Sequence, residues 1–282
     1  MKITKKTEER LVSSIPKFQK VLAIAKARDL NESDTVAVIT DALAEVFGYE
    51  KYLEITSEMA IRGTYCDLAV KINDKIQYLI ECKAIGTELK ELHLRQAVGY
   101  GANKGLQWIV LTNGADWQIY RIRFEQPITW DLVARFDLSM GNLKDEKFIE
   151  ALFLMTKEGV EKSAREEVYE KNQCVNRFVI GAIILSDPVI QAIKRELRRF
   201  SDGLRIEETD ILSLLSDGVL RRDLVEGDEA AAAQAKVGKM NKQPPPLRKM
   251  APKPEAPKAE PGSMSVTDQL LADSSSTPAT QE

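Results

Sequence analysis

Apolar residues recur at intervals of three and four along residues 31–49 (NESDTVAVITDALAEVFGY), the spacing of one face of an α-helix. The apolar positions are Val36, Ile39, Leu43, Val46 and Phe47. Asn31 or Ser33 can cap the N-terminus, acidic residues stand in the first turn, and Gly48 can end the helix. We therefore predict an amphipathic helix with one buried face.

Short runs rich in strand-forming residues follow this helix. Residues 51–62 are predicted to be a strand or an extended piece, and residues 65–72 (YCDLAVKI) and 76–83 (IQYLIECK) two further strands. The link between the last two is Asn73-Asp74-Lys75, which places a turn-forming pair between apolar runs. These two strands are therefore expected to be antiparallel neighbours in a hairpin.

A second helix is predicted at residues 88–102, before strands at 106–111 (LQWIVL) and 117–123 (WQIYRIR). The turn between those strands, residues 112–116, contains Asn113-Gly114, a strong turn signal. The resulting order α-β-β-α-β-β predicts an α/β fold in which helices flank a mixed sheet.

The pattern changes after residue 140. Residues 145–225 contain amphipathic helices, which form either a second small domain or a helical cap on the sheet. Beyond Glu226 the sequence is rich in Pro, Ala, Lys and Glu without apolar periodicity, which is typical of disorder. We therefore expect a sheet-containing domain at 1–140, a helical region at 141–225 and a disordered tail at 226–282.

Composition places the chain among ordinary globular proteins: 44% of residues are hydrophobic and 29% are charged. The N-terminus lacks the apolar core of a signal peptide, and the longest apolar run, residues 178–185, is less than half of the roughly 20 residues that a membrane span requires. Three cysteines show no metal-type spacing and no disulfide framework. A reducing, cytoplasmic location without membrane contact is expected.

Two absences narrow the chemistry. His93 is the only histidine, which excludes a two-histidine metal site and requires any Ser-His or Cys-His nucleophile to use that one residue. Neither a G-x-x-x-x-G-K-[ST] phosphate loop nor a G-x-G-x-x-G fingerprint occurs in the sequence. A net charge of -3 also argues against bulk electrostatic coating of nucleic acid.

The stretch YLIECKA, residues 78–84, places two charges in a strand that otherwise looks buried. Alternate side chains of a strand share a face, so Glu81 and Lys83 point the same way. The hairpin turn brings Asp67 alongside them. The expected result is a compact group of two carboxylates and one amine, although an E-x-K sequence by itself is also common on solvated edge strands.

Two carboxylates at one end of a sheet suit Mg²⁺, which takes oxygen ligands and completes its octahedron with water and substrate phosphate; Mn²⁺ would substitute. A neighbouring lysine can position the attacking water and offset charge that builds on phosphorus. The group therefore suits metal-assisted hydrolysis of phosphodiester bonds.

These residues resemble the PD-(D/E)xK nuclease superfamily, with Asp67 followed by Glu81-Cys82-Lys83. Other segments are similar to the N-terminal nuclease domain of type I restriction enzyme R subunits: NESDT (31–35), TDALAEVFGY (40–49), QAVGY (96–100) and LTNGADWQIY (111–120). The resemblance covers about residues 30–123 and implies a restriction-endonuclease-like fold. The usual proline before the first aspartate is Cys66 here.

The resemblance also implies roles for particular residues. Asp67 and Glu81 would be metal ligands, together with the carbonyl of Cys82, and Lys83 would be the catalytic lysine. Gln96 and Tyr100, the Q-x-x-x-Y pair, would support the lysine or the DNA backbone. The acid of the first helix that assists the site would be Glu32, with Asp34 as the second choice.

The expected function is a Mg²⁺-dependent DNA endonuclease that works without the ATP-driven motor of the full R subunit. The alternative is a non-catalytic nucleic-acid-binding or adaptor protein on the same fold, with a protein partner docking on residues 145–225. Sequence specificity, the strandedness of the substrate, the oligomeric state and the biological process stay open at this point.

Overall fold

The computed structural model describes residues 3–61, 64–200 and 205–241. The helices are α1 (Lys5–Ala27), α2 (Glu32–Glu45), α3 (Lys51–Glu54), α4 (Glu91–Lys104), α5 (Glu146–Phe153), α6 (Lys157–Glu161), α7 (Ala164–Cys174), α8 (Arg177–Ile184), α9 (Asp187–Leu197), α10 (Glu208–Leu214) and α11 (Asp228–Asn241). The strands are β1 (Ile55–Ile61), β2 (Thr64–Ile72), β3 (Lys75–Cys82), β4 (Trp108–Thr112), β5 (Asp116–Arg123) and β6 (Thr129–Asp137). Residues 1–237 form one compact unit; the second unit, 238–282, contributes only the end of α11 to the described residues.

The described strands form one sheet in sequence order, β1-β2-β3-β4-β5-β6. Neighbouring strands are antiparallel except β3 and β4, which are parallel and are connected through α4. A parallel pair needs such a crossover, whereas antiparallel pairs close with short turns. The predicted mixed sheet with flanking helices is confirmed, and its single parallel pair lies at the centre.

Helices cover both faces of the sheet. On the α1 face, Leu11, Phe18 and Leu43 belong to one buried cluster with Tyr78 and Ile80 of β3. On the α4 face, a smaller cluster joins apolar residues of α4 to β4 and β5: Leu94, Ala97, Val98, Ile109, Leu111 and Ile122. Because β3 and β4 are buried on both faces, their sequences are nearly continuous apolar runs rather than alternating ones.

The first part of the helical region belongs to the main core. Phe148 and Leu152 of α5 are buried in the cluster that includes α1 and β3. Arg165 on α7 is 2% exposed. Its guanidinium carbon lies 3.9 Å from the centre of the Tyr78 ring, and its Nε donates to the carbonyl of Leu154. This packing corresponds to the cap alternative for helices α5 to α7.

The hairpin, the strand after α4 and the Asn113-Gly114 turn lie where the sequence predicts them, but three elements differ. Lys51–Glu54 is a short helix, so only the second part of the expected extended segment is strand β1. Helix α1 occupies residues for which we predicted no element, and it has the buried stripe of a long amphipathic helix although Pro16 lies inside it. Strand β6 was not expected, because many of its positions are polar or partly exposed. It forms a strand because it pairs with β5.

The C-terminal segment also differs from expectation. Helix α11 occupies residues where we expected a disordered tail to begin. Its alanines have high helix propensity, and Ala233 and Val237 pack against Ala182 of α8. Residues 242–282 of the expected tail lie outside the described residues. No helix in the described ranges combines the length and the apolar character of a membrane span.

The β2–β3 turn offers a test of the hairpin. Asn73 and Asp74 both have positive φ, 51° and 60°, in a two-residue loop. Asp74→Gly should leave the free energy of unfolding unchanged or raise it slightly, because glycine adopts this conformation without strain. Asp74→Val should lower it by about 1 to 2 kcal/mol, because a side chain branched at Cβ is strained there. Urea unfolding of both variants measures the difference, and equal stabilities would contradict it.

Candidate active site

The hairpin places Asp67 of β2 beside the end of β3. Leu68 pairs with Ile80 in the antiparallel register, so Asp67, one residue before Leu68, lies opposite Glu81, one residue after Ile80. The backbone N–H of Cys82 donates to Asp67 Oδ2 at 2.7 Å. This bond joins the carboxylate of Asp67 to the last residue of β3 and holds it next to Glu81.

Glu81 is a buried acid with one unsatisfied oxygen. Its side chain is 1% exposed, and Oε1 accepts a hydrogen bond from Lys83 Nζ at 2.8 Å. Oε2 is buried and has no hydrogen-bond partner. An unpaired buried acceptor costs about 1 to 3 kcal/mol, so the fold retains an unfavourable group beside a second carboxylate, Asp67. A cation between these two acids would satisfy the free oxygen.

Lys83 connects the strand end to helix α2. Its backbone N–H donates to the carbonyl of Thr112, which continues the β3–β4 pairing beyond the end of β3. Its Nζ lies 3.5 Å from Glu32 Oε2 as well as 2.8 Å from Glu81 Oε1, and only 13% of its side chain is exposed. The ammonium is thus held between a buried acid and a half-exposed one.

The two acids at the start of α2 have different partners. Glu32 reaches Lys83, whereas the carboxylate of Asp34 accepts a hydrogen bond from the Asn31 side chain, and Asn31 caps the helix by accepting from the N–H of Asp34. Of the two acids that the sequence suggests for this position, the structure brings Glu32 to the lysine. The expected capping role of Asn31 is confirmed.

Burial and neighbouring charges set the protonation of the pair. Burial raises the pKa of Glu81 to about 7, with the charge of Asp67 adding to the rise, while the hydrogen bond from Lys83 opposes it. Burial acts to lower the pKa of Lys83, but the hydrogen bond and charge of Glu81, with Glu32 and Asp67, outweigh it, so that pKa is raised. Lys83 therefore stays protonated at neutral pH, while Glu81 lies near its midpoint.

Gln96 and Tyr100 lie on α4, the helix that covers this side of the sheet. Gln96 Nε2 donates to the Tyr100 hydroxyl at 2.8 Å, so the two residues share one helix face as expected. Tyr100 is half-buried against Leu79 and Ala69, and Gln96 is exposed. Among the described residues, the side chain of Lys83 hydrogen-bonds to Glu81 and Glu32 rather than to Gln96 or Tyr100. Their role at the site stays a prediction.

The site offers a metal few protein ligands. Within the described ranges, no group of three or more His, Cys, Asp or Glu side chains is arranged to hold a metal ion. Asp67 and Glu81 provide two carboxylates, which leaves further positions to backbone, water and phosphate oxygens, as Mg²⁺ commonly requires. Burial raises the pKa of the Cys82 thiol well above its usual range, so this residue would contribute its carbonyl rather than sulfur.

Thr35 is a positioning residue that sequence reasoning missed. It is fully buried in α2, donates to the Asn31 carbonyl at 2.7 Å and accepts from the N–H of Ile85 at 3.1 Å. The second bond ties the segment after Lys83 to the helix that carries Glu32. No signal in a single sequence marks this threonine, because its partner lies 50 positions away and is a backbone group.

The hairpin acid, the E-x-K strand end and the parallel crossover strand lie in one mixed α/β sheet flanked by helices, as the resemblance to restriction-endonuclease-like domains predicts. The model of the family described as type I restriction enzyme R protein N terminus matches residues 38–130, which is 93 of the 282 residues. The match confirms the resemblance seen in the sequence and supports a nuclease-like role in general. Comparison with curated proteins and with solved structures gave no match.

The matched segment contains most of the site. Asp67, Glu81, Lys83, Gln96 and Tyr100 all fall inside residues 38–130. The two acids at the start of α2 fall before it. The contact of Lys83 with that helix is therefore an observation of the structure alone.

The Thr35 contact predicts a specific loss of stability. Thr35→Val keeps the side-chain shape but leaves the N–H of Ile85 buried without an acceptor, so the free energy of unfolding should fall by about 1 to 3 kcal/mol. Thr40→Val is the matched control, because Thr40 donates only to the Val36 carbonyl in the same helix. Urea unfolding measures both, and an equally small effect for the two variants would contradict the proposed contact.

Glu81 predicts a pH dependence of stability. Its folded pKa of about 7 lies above the ordinary value of 4.5, so the folded protein binds more protons than the unfolded chain between these values. Stability should therefore fall as pH rises through this window, by on the order of 3 kcal/mol for this group. In metal-free buffer, Glu81→Gln should show a correspondingly flatter curve of melting temperature against pH. Parallel curves for the two proteins would contradict the shift.

Proposed function

We propose that the chain is a Mg²⁺-dependent DNA endonuclease of the PD-(D/E)xK class, with Mn²⁺ as a substitute ion. The observation that carries the proposal is the unsatisfied, buried Oε2 of Glu81 beside the anchored carboxylate of Asp67. A structural ion pair would not need a free buried oxygen next to a second acid. The cost of this arrangement is explained if a divalent cation and a phosphate complete it.

Asp67 and Glu81 would hold the ion, with the Cys82 carbonyl as a third ligand. The bound metal would supply Lewis-acid polarisation of the phosphate and a lower pKa for a coordinated water. The deprotonated form of Glu81 is required for this role, and its pKa near 7 means that binding the ion displaces a proton.

Lys83 would act as a fixed cation rather than as a base. Its raised pKa keeps the ammonium charged at neutral pH, and its contacts with Glu81 and Glu32 hold it in place. A fixed ammonium can orient the attacking water and stabilise negative charge that develops on the phosphate oxygens. Glu32 would position this ammonium from the side of α2, and Gln96 with Tyr100 would support the lysine or the DNA backbone.

The reaction would not draw on an ATP-driven motor in this chain, because the sequence contains no phosphate-binding loop.

DNA would be the principal partner. The helical region is proposed as the place where a protein partner docks, and the proposed location is the cytoplasm.

Cleavage of fluorescently labelled single-stranded and duplex DNA with Mg²⁺ or Mn²⁺ tests the function. Asp67→Ala should abolish turnover, and Lys83→Met should lower it about 10²-fold or more, because one preformed donor is lost. Lys144→Met, which removes an exposed lysine outside the site, is the matched control and should cut like the wild type.

Metal binding provides a second measurement on the same proteins. Mn²⁺ should raise the melting temperature of the wild type and not that of Asp67→Ala, because an ion bound only by the folded state stabilises it. Wild-type protein that binds nucleic acid, cuts neither DNA nor RNA with either ion and shows no Mn²⁺ shift would overturn the proposal. That result would favour the non-catalytic adaptor.

A further inference from the structure

A cleft of about 370 Å³ opens on the α4 face, between the beginning of α4 and strands β5 and β6. The cleft is lined from the helix side by Leu89, Lys90, Glu91 and Leu94, and from the strands by Gln118, Tyr120, Trp130 and Leu132. Tyr120 and Trp130 are half-buried, and Leu132 is 52% exposed. The cleft therefore presents aromatic and apolar side chains of β5 and β6 to solvent beside the first turn of α4.

The strand register links this cleft to the Asp67 and Glu81 site. Glu81 of β3 pairs with Leu111 of β4, and Leu111 pairs with Gln118 of β5. Paired residues point to the same face, and neighbouring strands lie about 4.8 Å apart, so the backbones at Glu81 and Gln118 are separated by about 10 Å. The cleft and the site are thus neighbours on one face of the sheet.

Gln118 is the polar centre of the cleft. Its side chain is 7% exposed, its Nε2 donates to Asp116 Oδ2 at 2.8 Å, and its Oε1 accepts from the Tyr120 hydroxyl at 2.6 Å. Arg135 in turn holds Asp116 through two hydrogen bonds. Nε2 of Gln118 can donate one further hydrogen bond and Oε1 can accept one more. The side-chain amide therefore offers a fixed donor and a fixed acceptor beside two aromatic rings.

This combination has the features of a nucleobase site. Aromatic rings stack on any base, and an amide in fixed orientation can pair with a base edge. The volume suits one small planar group rather than a folded partner. Bases inside a duplex are stacked and shielded, so such a cleft can take a base only from a single strand or from an unpaired position.

We propose that this cleft binds an unstacked nucleobase of the strand whose phosphodiester lies at Asp67 and Glu81. The inference rests on the proposed nuclease function and deepens it. The substrate class is then single-stranded DNA, or duplex DNA with locally unpaired nucleotides, and Lys90, which is exposed and lines the cleft, would contact the backbone of the bound strand.

Trp130 provides a direct reporter. The other two tryptophans, Trp108 and Trp117, are 6% and 0% exposed, so quenching by a bound base would come from Trp130. Titration of the full chain with oligothymidylate in metal-free buffer should quench tryptophan fluorescence. A duplex that contains the same strand should quench at least tenfold less well at equal concentration.

Leu132→Glu tests the cleft without removing the reporter. The substitution places a carboxylate at an exposed position beside Tyr120 and should weaken oligothymidylate binding at least tenfold, measured by quenching and by anisotropy of a labelled strand. Leu53→Glu is the matched control, because Leu53 is 78% exposed and lies on α3 outside the cleft. Melting temperatures of both variants confirm that each is folded.

Cleavage separates this inference from the function on which it rests. With an active wild type, Leu132→Glu should raise KM for single-stranded DNA at least tenfold with kcat nearly unchanged. Quenching that depends on Leu132 in a protein that cuts nothing and shows no Mn²⁺ shift in melting temperature would support the cleft and overturn the nuclease. Three results would each overturn the proposed base site in the cleft. The first is cleavage with equal KM in the Leu132→Glu and Leu53→Glu variants, the second is no quenching of tryptophan fluorescence, and the third is equal quenching by the duplex.

Discussion

The buried ion pair between Glu81 and Lys83 is the constraint on which the rest of the site depends. A carboxylate that is 1% exposed is costly unless a charge partner is held at a fixed distance, and here the partner lies two residues along the same strand. The pair cannot relax towards solvent, because Tyr78, Ile80 and Cys82 anchor the strand in the core. Asp67 and Glu32 then approach the pair from two different elements, a neighbouring strand and a helix.

The sheet topology makes this convergence possible. The antiparallel hairpin brings Asp67 to β3, and the parallel β3–β4 pair extends to the Lys83 amide through the Thr112 carbonyl. The crossover that such a pair requires is α4, which packs on β4 and β5 through Leu94, Ala97 and Val98. Beside the start of this helix, β5 and β6 line the cleft around Gln118. One topological feature thus places both the charged site and the neighbouring cleft.

Local signals predicted much of this arrangement. The Asn73-Asp74 turn and the two apolar runs fixed the hairpin, and the period of a strand put Glu81 and Lys83 on one side. The family resemblance at residues 38–130 agrees with that interpretation. The signals failed where partners are distant: β6 is a strand because β5 pairs with it, and α1 remains helical through Pro16 because its apolar stripe packs on the sheet.

The sequence by itself determined the candidate site residues: Asp67, Glu81 and Lys83 follow from alternation along two strands joined by a short turn. Only the tertiary structure decided how they are held. It selected Glu32 over Asp34, introduced Thr35 as the tie to the segment after Lys83, and left Glu81 Oε2 without a partner. The physical reason is that strand periodicity is a local property of the backbone, whereas burial and contacts between distant elements arise only when those elements pack.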